Sequence, residues 1–254
     1  MRNMNVNDLY CLLDSSRNCL KNLEIHDTNF RLVGLDRTPP RLHVRTLLLH
    51  KTSLLNTLSD TSICPLVLSD VISLNLTLSK LADFLHIRSA LTSGKLSSLT
   101  ELTILHPSWS GPLRKDLTLD AQHALPVSQL RTLSITFCDY LPPNADFHLM
   151  NWWIRNLTEN AIPNLEHVTI HILFDGFAYV FRDMHDHTVW ARFDAALAHP
   201  PVRLSVCLHD EGATSVEDSA DWIIPLKREI EQQMKALNGR GAVQVYICGW
   251  SDDM

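Results

Sequence analysis

Histidine and cysteine are the residue types in this chain that could bind a metal ion or transfer protons. The 254 residues include 13 histidines and 6 cysteines, the cysteines at positions 11, 19, 64, 138, 207 and 248. Five histidines follow short apolar segments, with aspartates nearby: His26, His50, His106, His171 and His209. Imidazole and thiolate are ligands that Zn²⁺ prefers, and imidazole is the usual acid–base group near neutral pH. Their spacing therefore decides whether a chemical site is expected.

That spacing argues against a metal site. His185 and His187 form the one tight pair, and no third ligand lies close to them in sequence. No two cysteines form CxxC. Strands of a sheet lie about 4.8 Å apart, so ligands three repeats apart cannot share one ion, although His26 and His50 could meet. We predict no metal and no cofactor, with a metal-dependent hydrolase on His185 and His187 as the weaker alternative.

Sequence motifs of catalytic sites are also missing. The chain contains no GxSxG, HExxH, GxGxxG or GxxxxGK[ST] pattern and only eight glycines. Cys138 ends an apolar segment and is interpreted as a buried turn cysteine. We therefore predict that the protein is not an enzyme.

Composition and charge exclude several classes of partner. The chain is 45% hydrophobic and 20% charged, with a net charge of −6. Its longest basic run is Lys227-Arg228, so we expect no nucleic-acid binding. The first residues, MRNMNVNDLY, lack the apolar region of a secretion signal, and no apolar run approaches the roughly 18 residues of a membrane span. We expect reduced thiols, a cytoplasmic or nuclear location and no membrane partner.

A repeated pattern dominates the chain: apolar, two residues, apolar, one residue, apolar. It occurs as LKNLEI at 20–25, VRTLLL at 44–49, VISLNL at 71–76, LTELTI at 99–104, LRTLSI at 130–135 and LEHVTI at 165–170, and more weakly at 201–206 and 241–247. The middle apolar residues, which we call marker residues, are Leu23, Leu47, Leu74, Leu102, Leu133, Val168, Leu204 and Val243. They are separated by 24, 27, 28, 31, 35, 36 and 39 residues. Such self-similarity indicates a repeat architecture.

The alternation around each marker residue predicts a strand with one buried side, and the segments between predict helices. Ile223, Leu226, Ile230, Met234 and Leu237 share one helical face before Asn238-Gly239. Similar stripes predict helices in 78–92, 147–157 and 189–197, with shorter helices in 7–18, 51–60 and 117–125. We predict one α/β solenoid domain over 1–254, with about eight irregular repeats, a curved parallel sheet on the concave side and helices outside. A doubly wound sheet fits less well without a glycine-rich turn.

The residues between the buried positions of the strands form polar rows on the expected concave face. These rows are rich in hydroxyls and histidines and lightly charged, which suits a protein partner recognised through hydrogen bonds; they include Thr77, Cys207 and Tyr246. Exposed aromatic residues are favoured interface anchors, and Trp109, in the loop HPSWSGP, is the candidate anchor. The predicted partner-binding residues are Glu24, His26, His50, Asn75, Glu101, Thr103, Trp109, Ser134, His167, Thr169, His171 and Arg203.

The other tryptophans are expected to pack between helices and repeats. Trp152 and Trp153 are adjacent in a predicted helix, so one must point away from the face that the other occupies. Packing is the expected role of Trp153, Trp190 and Trp222. The alternative is that these aromatic side chains are exposed and contribute to a partner-binding surface.

The segment LRTLSITFC at 130–138 resembles the cysteine form of the leucine-rich-repeat consensus. Over roughly 7–250 the chain looks like the C-terminal repeat region of fungal F-box proteins, with Arg240–Val245 similar to that family's terminal strand. The resemblance implies a leucine-rich-repeat fold that binds a substrate of a ubiquitin ligase.

The chain departs from the F-box family in two respects. The Asn or Cys of the consensus turn is replaced in most repeats, for example by Thr28, Thr52 and Ser79. No F-box is visible, because there is room for only one helix before Leu20. We therefore expect a protein-binding repeat module, and the resemblance implies that it is the recognition part of such a receptor. The alternative is a fragment with no independent role.

Overall fold

Strands and helices alternate through the computed structural model of the chain. It describes residues 2–15, 20–31, 41–58, 60, 63–107, 123–139, 146–159, 162–174, 188–198, 202–210 and 216–248. In these ranges the strands are β1 (Arg2–Asn5), β2 (Asn22–His26), β3 (Thr28–Arg31), β4 (Thr46–His50), β5 (Ser73–Thr77), β6 (Glu101–His106), β7 (Thr132–Asp139), β8 (His167–Phe174), β9 (Arg203–Asp210) and β10 (Val243–Cys248). The α-helices are α1 (Val6–Ser15), α2 (Leu81–Thr92), α3 (Asp146–Glu159), α4 (Val189–Leu197), α5 (Val216–Gln233) and α6 (Lys235–Asn238).

Eight of the described strands form a parallel sheet, in the order β10-β9-β8-β7-β6-β5-β4-β2. Each strand lies beside the strand that precedes or follows it among these eight in the chain. A doubly wound sheet instead reverses its strand order at a switch point. The predicted α/β class with parallel strands is confirmed, and the doubly wound alternative is excluded for this sheet.

The marker residues pair with one another in register. Leu23 pairs with Leu47, and Leu47 pairs with Leu74. Further along the chain, Leu133 pairs with Val168, Val168 with Leu204, and Leu204 with Val243. The repeated pattern therefore fixes both the strands and their alignment.

The apolar positions of the pattern make up buried columns. The column before the strands contains Val44, Val71, Leu99, Leu130, Leu165 and Val202, and the column two residues after the markers contains Ile25, Leu49, Leu76, Ile104, Ile135, Ile170, Val206 and Val245. All these side chains and all eight marker residues are buried. Apolar area removed from water contributes about 25 cal/mol per Å², so burial of these columns stabilises the sheet.

Backbone hydrogen bonds repeat at the residue that lies just before a strand. The carbonyl of Lys21 accepts the N–H groups of Arg45 (2.8 Å) and Thr46 (3.3 Å). The carbonyl of Arg45 accepts those of Ile72 (2.9 Å) and Ser73 (3.0 Å). The same double acceptance occurs at Ile72 with Thr100 and Glu101, and at Arg131 with Glu166 and His167. Each of these carbonyls thereby fixes where the next strand starts.

The connections match the predicted helices in part. Helices α1, α2, α3 and α4 overlap the predicted segments 7–18, 78–92, 147–157 and 189–197, and α1 and α3 extend beyond theirs by one or two residues. Segment 51–60 forms the 3₁₀ helix Ser53–Thr57, and a second 3₁₀ turn is Leu68–Asp70. The last predicted helix is divided into α5 and α6 at Met234, where ψ is 61°. Most of 117–125 lies outside the described residues.

Two compact units divide the chain. The first contains 1–104 and 123–126, and the second contains 105–122 and 127–254. The first also contains the parallel pair β1 and β3, which the sequence pattern did not predict. The expectation of one domain over 1–254 stays a prediction.

The tryptophans described in the second unit lie in its core. Trp153 and Trp190 are buried, as expected, and Trp152 is buried as well, so neither member of the adjacent pair faces solvent. The Trp153 indole donates a hydrogen bond to His106 Nε2 at 2.9 Å. Trp109 and the side chain of Trp222 lie outside the described part of the chain.

No described helix combines the length and the apolar character that crossing a bilayer requires. The described cysteines Cys11, Cys64, Cys138, Cys207 and Cys248 are free thiols. Cys138 is half-buried on β7, whereas the sequence interpretation placed it in a buried turn.

Candidate functional site

Polar side chains occupy the side of the strands opposite the buried columns. Glu24, His26, Glu101, His167 and Arg203 are exposed there, and His50, Asn75, Thr103, Ser134, Thr169 and His171 are half-buried. We call these eleven residues the polar strand face. They are all the predicted partner-binding residues except Trp109, which lies outside the described part of the chain. Their alternation with buried residues follows from the two-residue period of a strand.

In the first unit, three polar side chains meet at the carboxyl ends of β2, β4 and β5. The rings of His26 and His50 are 5.6 Å apart, as their sequence positions suggested. His50 Nδ1 and Thr77 Oγ1 share a hydrogen bond of 2.7 Å. His26 Nε2 also lies 3.7 Å from a carboxylate oxygen of Glu24. These contacts make a polar row across three neighbouring strands.

The electrostatic environment favours a neutral His50. Burial lowers the pKa of His50, the positive charge of Lys51 lowers it further, and Asp27 partly opposes both effects. A neutral imidazole has one N–H donor and one acceptor nitrogen. His50 is therefore suited to hydrogen bonding at neutral pH rather than to holding a charge.

The turn after β2 and the turn after β4 share the sequence His-x-Thr. The middle residues, Asp27 and Lys51, have φ values of 48° and 47°. Thr28 Oγ1 donates to the carbonyl of His26 at 2.7 Å, and Thr52 Oγ1 donates to the carbonyl of Thr28 at 2.8 Å. The left-handed residues turn the chain directly after each histidine, which fixes the two histidines at equivalent positions.

In the second unit, a tighter cluster occupies β8 and β9. His171 and Cys207 are register partners, and His209 lies two residues beyond Cys207 on the same side of β9. His171 Nδ1 is 3.1 Å from His209 Nε2, and the two rings are stacked. One ligand atom from each of His171, Cys207 and His209 lies within 4.8 Å of the others. Two imidazoles and a thiol therefore converge on one small volume.

Cys248 on β10 joins this cluster. It is the register partner of His209, and its thiol interacts with that of Cys207, although it does not belong to the group whose ligand atoms all lie within 4.8 Å of one another. Burial raises the pKa of Cys207 to about 11, and Cys248 adds to the rise. Burial also lowers the pKa of His171 and of His209. Both imidazoles are thus held neutral, with lone pairs available to a ligand.

Sequence reasoning placed His171 on the polar face and His209 after a strand, but it did not bring them together. It named Cys207 and left out Cys248. The sequence did contain a sign of this cluster. Aligning the marker residues Val168, Leu204 and Val243 places its four members on neighbouring strands. The direction of the side chains is what the alignment could not supply.

Comparisons with known proteins give no relative: no family model, no curated protein and no solved structure matches this chain.

Proposed function

We propose that this protein is a protein-binding module, built as a leucine-rich-repeat-like solenoid that recognises its partner with the polar strand face. The observation that carries the proposal is the continuous alternation of polar and buried residues on successive strands. Repeat proteins use such surfaces to bind extended partners, because each repeat adds one row of side chains.

The chemistry of the face supports a protein partner. It carries hydroxyl, amide and imidazole groups with few charges, including Asn75, Ser134 and Thr169. Protein interfaces combine buried cores with about one hydrogen bond per 100–200 Å², which such groups can provide. Basic residues on the face are few, which fits the expectation that nucleic acid is not the partner.

The resemblance to fungal F-box proteins narrows the proposal. In that interpretation the partner is a substrate of a ubiquitin ligase, and the chain is the recognition part in the cytoplasm or nucleus. The resemblance is carried by repeats such as LRTLSITFC at 130–138. It is an analogy of fold and not of site chemistry.

The test is affinity purification of tagged full-length chain from its native cells, comparing two charge-matched variants. The face variant combines Glu24→Arg, Glu101→Arg and Arg203→Glu, all at exposed positions of the polar strand face. The control combines Asp8→Arg, Glu159→Arg and Arg228→Glu, which are exposed on helices. Both sets change the net charge equally.

We expect a reproducible partner with the wild type and the control, and at least about a tenfold loss with the face variant. Far-ultraviolet circular dichroism checks that all three proteins are folded. Equal recovery by the face variant and the control would contradict use of this face. No reproducible partner for any of them would favour a folded fragment with no independent role.

A further inference from the structure

The four residues His171, Cys207, His209 and Cys248 occupy neighbouring positions on three adjacent strands. β9 provides two of them, and β8 and β10 provide one each as register partners. All four lie on the side of the strands opposite the buried columns. His209 is buried, and the other three are half-buried. Two nitrogen and two sulfur donors are thereby collected near the carboxyl ends of the strands.

We propose that His171, Cys207, His209 and Cys248 form a structural Zn²⁺ site that ties the edge strand β10 to β9 and β8. Two imidazoles and two thiolates make a Cys₂His₂ donor set, which structural zinc sites use. His171 also belongs to the polar strand face, but the proposal does not rest on protein binding, because it concerns how the end of the sheet is held.

The distances suit a tetrahedral ion. Zn–N bonds of about 2.0–2.1 Å and Zn–S bonds of about 2.3 Å place neighbouring ligand atoms roughly 3.3–3.8 Å apart. The nitrogens of His171 and His209 are 3.1 Å apart, and the three-ligand set lies within 4.8 Å. The Cys248 thiol interacts with that of Cys207 but lies outside this three-ligand set. Rotation of the Cys248 side chain is needed to bring the fourth donor to the ion.

Binding of Zn²⁺ changes the protonation of both thiols and the hydrogen bonding of both imidazoles. Both thiols lose a proton to solvent when they become thiolate ligands, so one Zn²⁺ is exchanged for two protons. The hydrogen bond between His171 Nδ1 and His209 Nε2 is broken, the ring that donates in it moves its proton to its other nitrogen, and the other ring keeps its proton on the nitrogen that does not face the ion. No electron transfer is involved.

Four protein ligands leave no open position for water or substrate. Catalytic zinc sites keep such a position, and structural sites do not. The consequence is mechanical: the ion links β8, β9 and β10 across the end of the sheet. Since β10 has β9 as its only neighbour in the eight-stranded sheet, the zinc link should stabilise β10 more than β8 or β9.

The first test measures binding of Zn²⁺ alone to the reduced, metal-free full-length chain. We expect one tightly bound Zn²⁺ per chain by titration and elemental analysis. Co²⁺ in its place should give the visible bands of tetrahedral coordination and a thiolate-to-cobalt charge-transfer band. Zinc should raise the melting temperature, since a ligand that binds the folded state stabilises it.

Matched variants locate the site. Cys207→Ser and His209→Gln should each lower zinc affinity by more than about 10-fold, since even changes outside the ligand set typically cost that much. Two controls keep the same substitution chemistry elsewhere: Cys11→Ser at an exposed thiol and His167→Gln at an exposed position of β8. We expect wild-type zinc affinity from both controls. Affinity unchanged in Cys207→Ser would overturn the proposal.

A measurement on the wild type covers the case in which a ligand variant does not fold. Zinc should slow alkylation of Cys207 and Cys248, mapped by peptide mass spectrometry, and leave Cys11 unaffected. Absence of this protection would refute the site. So would substoichiometric zinc, an octahedral Co²⁺ spectrum, or a Cys207–Cys248 disulfide that persists in reductant.

Discussion

His50, a residue of the polar strand face, is expected to make the free energy of unfolding depend on pH in the acidic range. It is half-buried, shares a hydrogen bond with Thr77, and its pKa is lowered from 6.5, mainly by burial. Between pH 6.5 and its lower pKa in the folded state, the unfolded chain binds more protons at this residue than the folded chain does. Protonation therefore favours unfolding as the pH falls through that interval.

We expect the free energy of unfolding of the wild type to fall as the pH is lowered below 6.5, and the fall to be smaller for His50→Gln. The glutamine cannot take up the proton and can still form a hydrogen bond with Thr77. Urea unfolding at a series of pH values, with a chelator present, measures the difference. His167→Gln, at an exposed position, is the control; an identical pH profile for wild type and His50→Gln would show that His50 does not contribute.

The zinc cluster also illustrates what the sequence allows at the scale of residues. The alignment of marker residues places His171, Cys207 and His209 within reach of each other, since neighbouring strands are about 4.8 Å apart. Whether the side chains turn toward each other depends on rotamers and on how each one is buried. The distance between strands excluded metal ligands that lie three repeats apart. It did not exclude ligands on adjacent strands, such as His171, Cys207 and His209.

At the scale of elements, Asp194 joins two helices of the second unit. Its carboxylate oxygens accept hydrogen bonds from the backbone N–H groups of Ala236 and Leu237, both at 2.8 Å. These donors belong to the first turn of α6, where helical N–H groups have no partner within the helix. Asp194 lies on α4 and is buried, so it substitutes for a local N-cap.

We expect Asp194→Ala to lower the free energy of unfolding by about 2–4 kcal/mol, because two N–H groups lose a charged acceptor. Asp194→Asn retains one acceptor oxygen and should lose less. Chemical denaturation measures both, with Asp8→Ala at an exposed position of α1 as a control expected within about 0.5 kcal/mol of wild type. A loss for Asp194→Ala no greater than that of the control would contradict the capping role.

The elements themselves were predictable to different degrees. Strands were found because the two-residue period repeats around every marker residue. The division between α5 and α6 was missed, because the apolar stripe through Ile230, Met234 and Leu237 continues across it. The pair of β1 and β3 was missed for the opposite reason: the segments 2–5 and 28–31 have no alternating apolar pattern. In both places the local apolar period is not what determines the element.

At the scale of the whole molecule, strands with two neighbours in the sheet are expected to contribute more to the free energy of unfolding than edge strands do. Leu74 on β5 is fully buried, while Leu23 on the edge strand β2 retains 9% of its exposure. Both are marker residues of the first unit, so they occupy equivalent positions of the repeat. Leucine-to-alanine changes in a core cost about 2–5 kcal/mol, depending on how far the site relaxes.

We expect Leu74→Ala to lower the free energy of unfolding by an amount in the upper part of that range of about 2–5 kcal/mol. The loss for Leu23→Ala should be smaller than that for Leu74→Ala, because an edge repeat can close around the missing methyl groups. Equilibrium urea unfolding of the two variants measures the difference. The two variants serve as each other's control, since the same atoms are removed. Equal losses would indicate that position in the sheet does not matter.

The carbonyl groups that start each strand have a consequence for engineering. Because Lys21, Arg45, Ile72 and Arg131 anchor the beginning of the following strand, the length of the preceding connection is free to vary. Successive markers with established register are as little as 24 and as much as 39 residues apart. Foreign peptides could therefore be grafted into connections without shifting the sheet. Gly94, after α2, has a φ of 70° and open space around it, which makes it a natural insertion point.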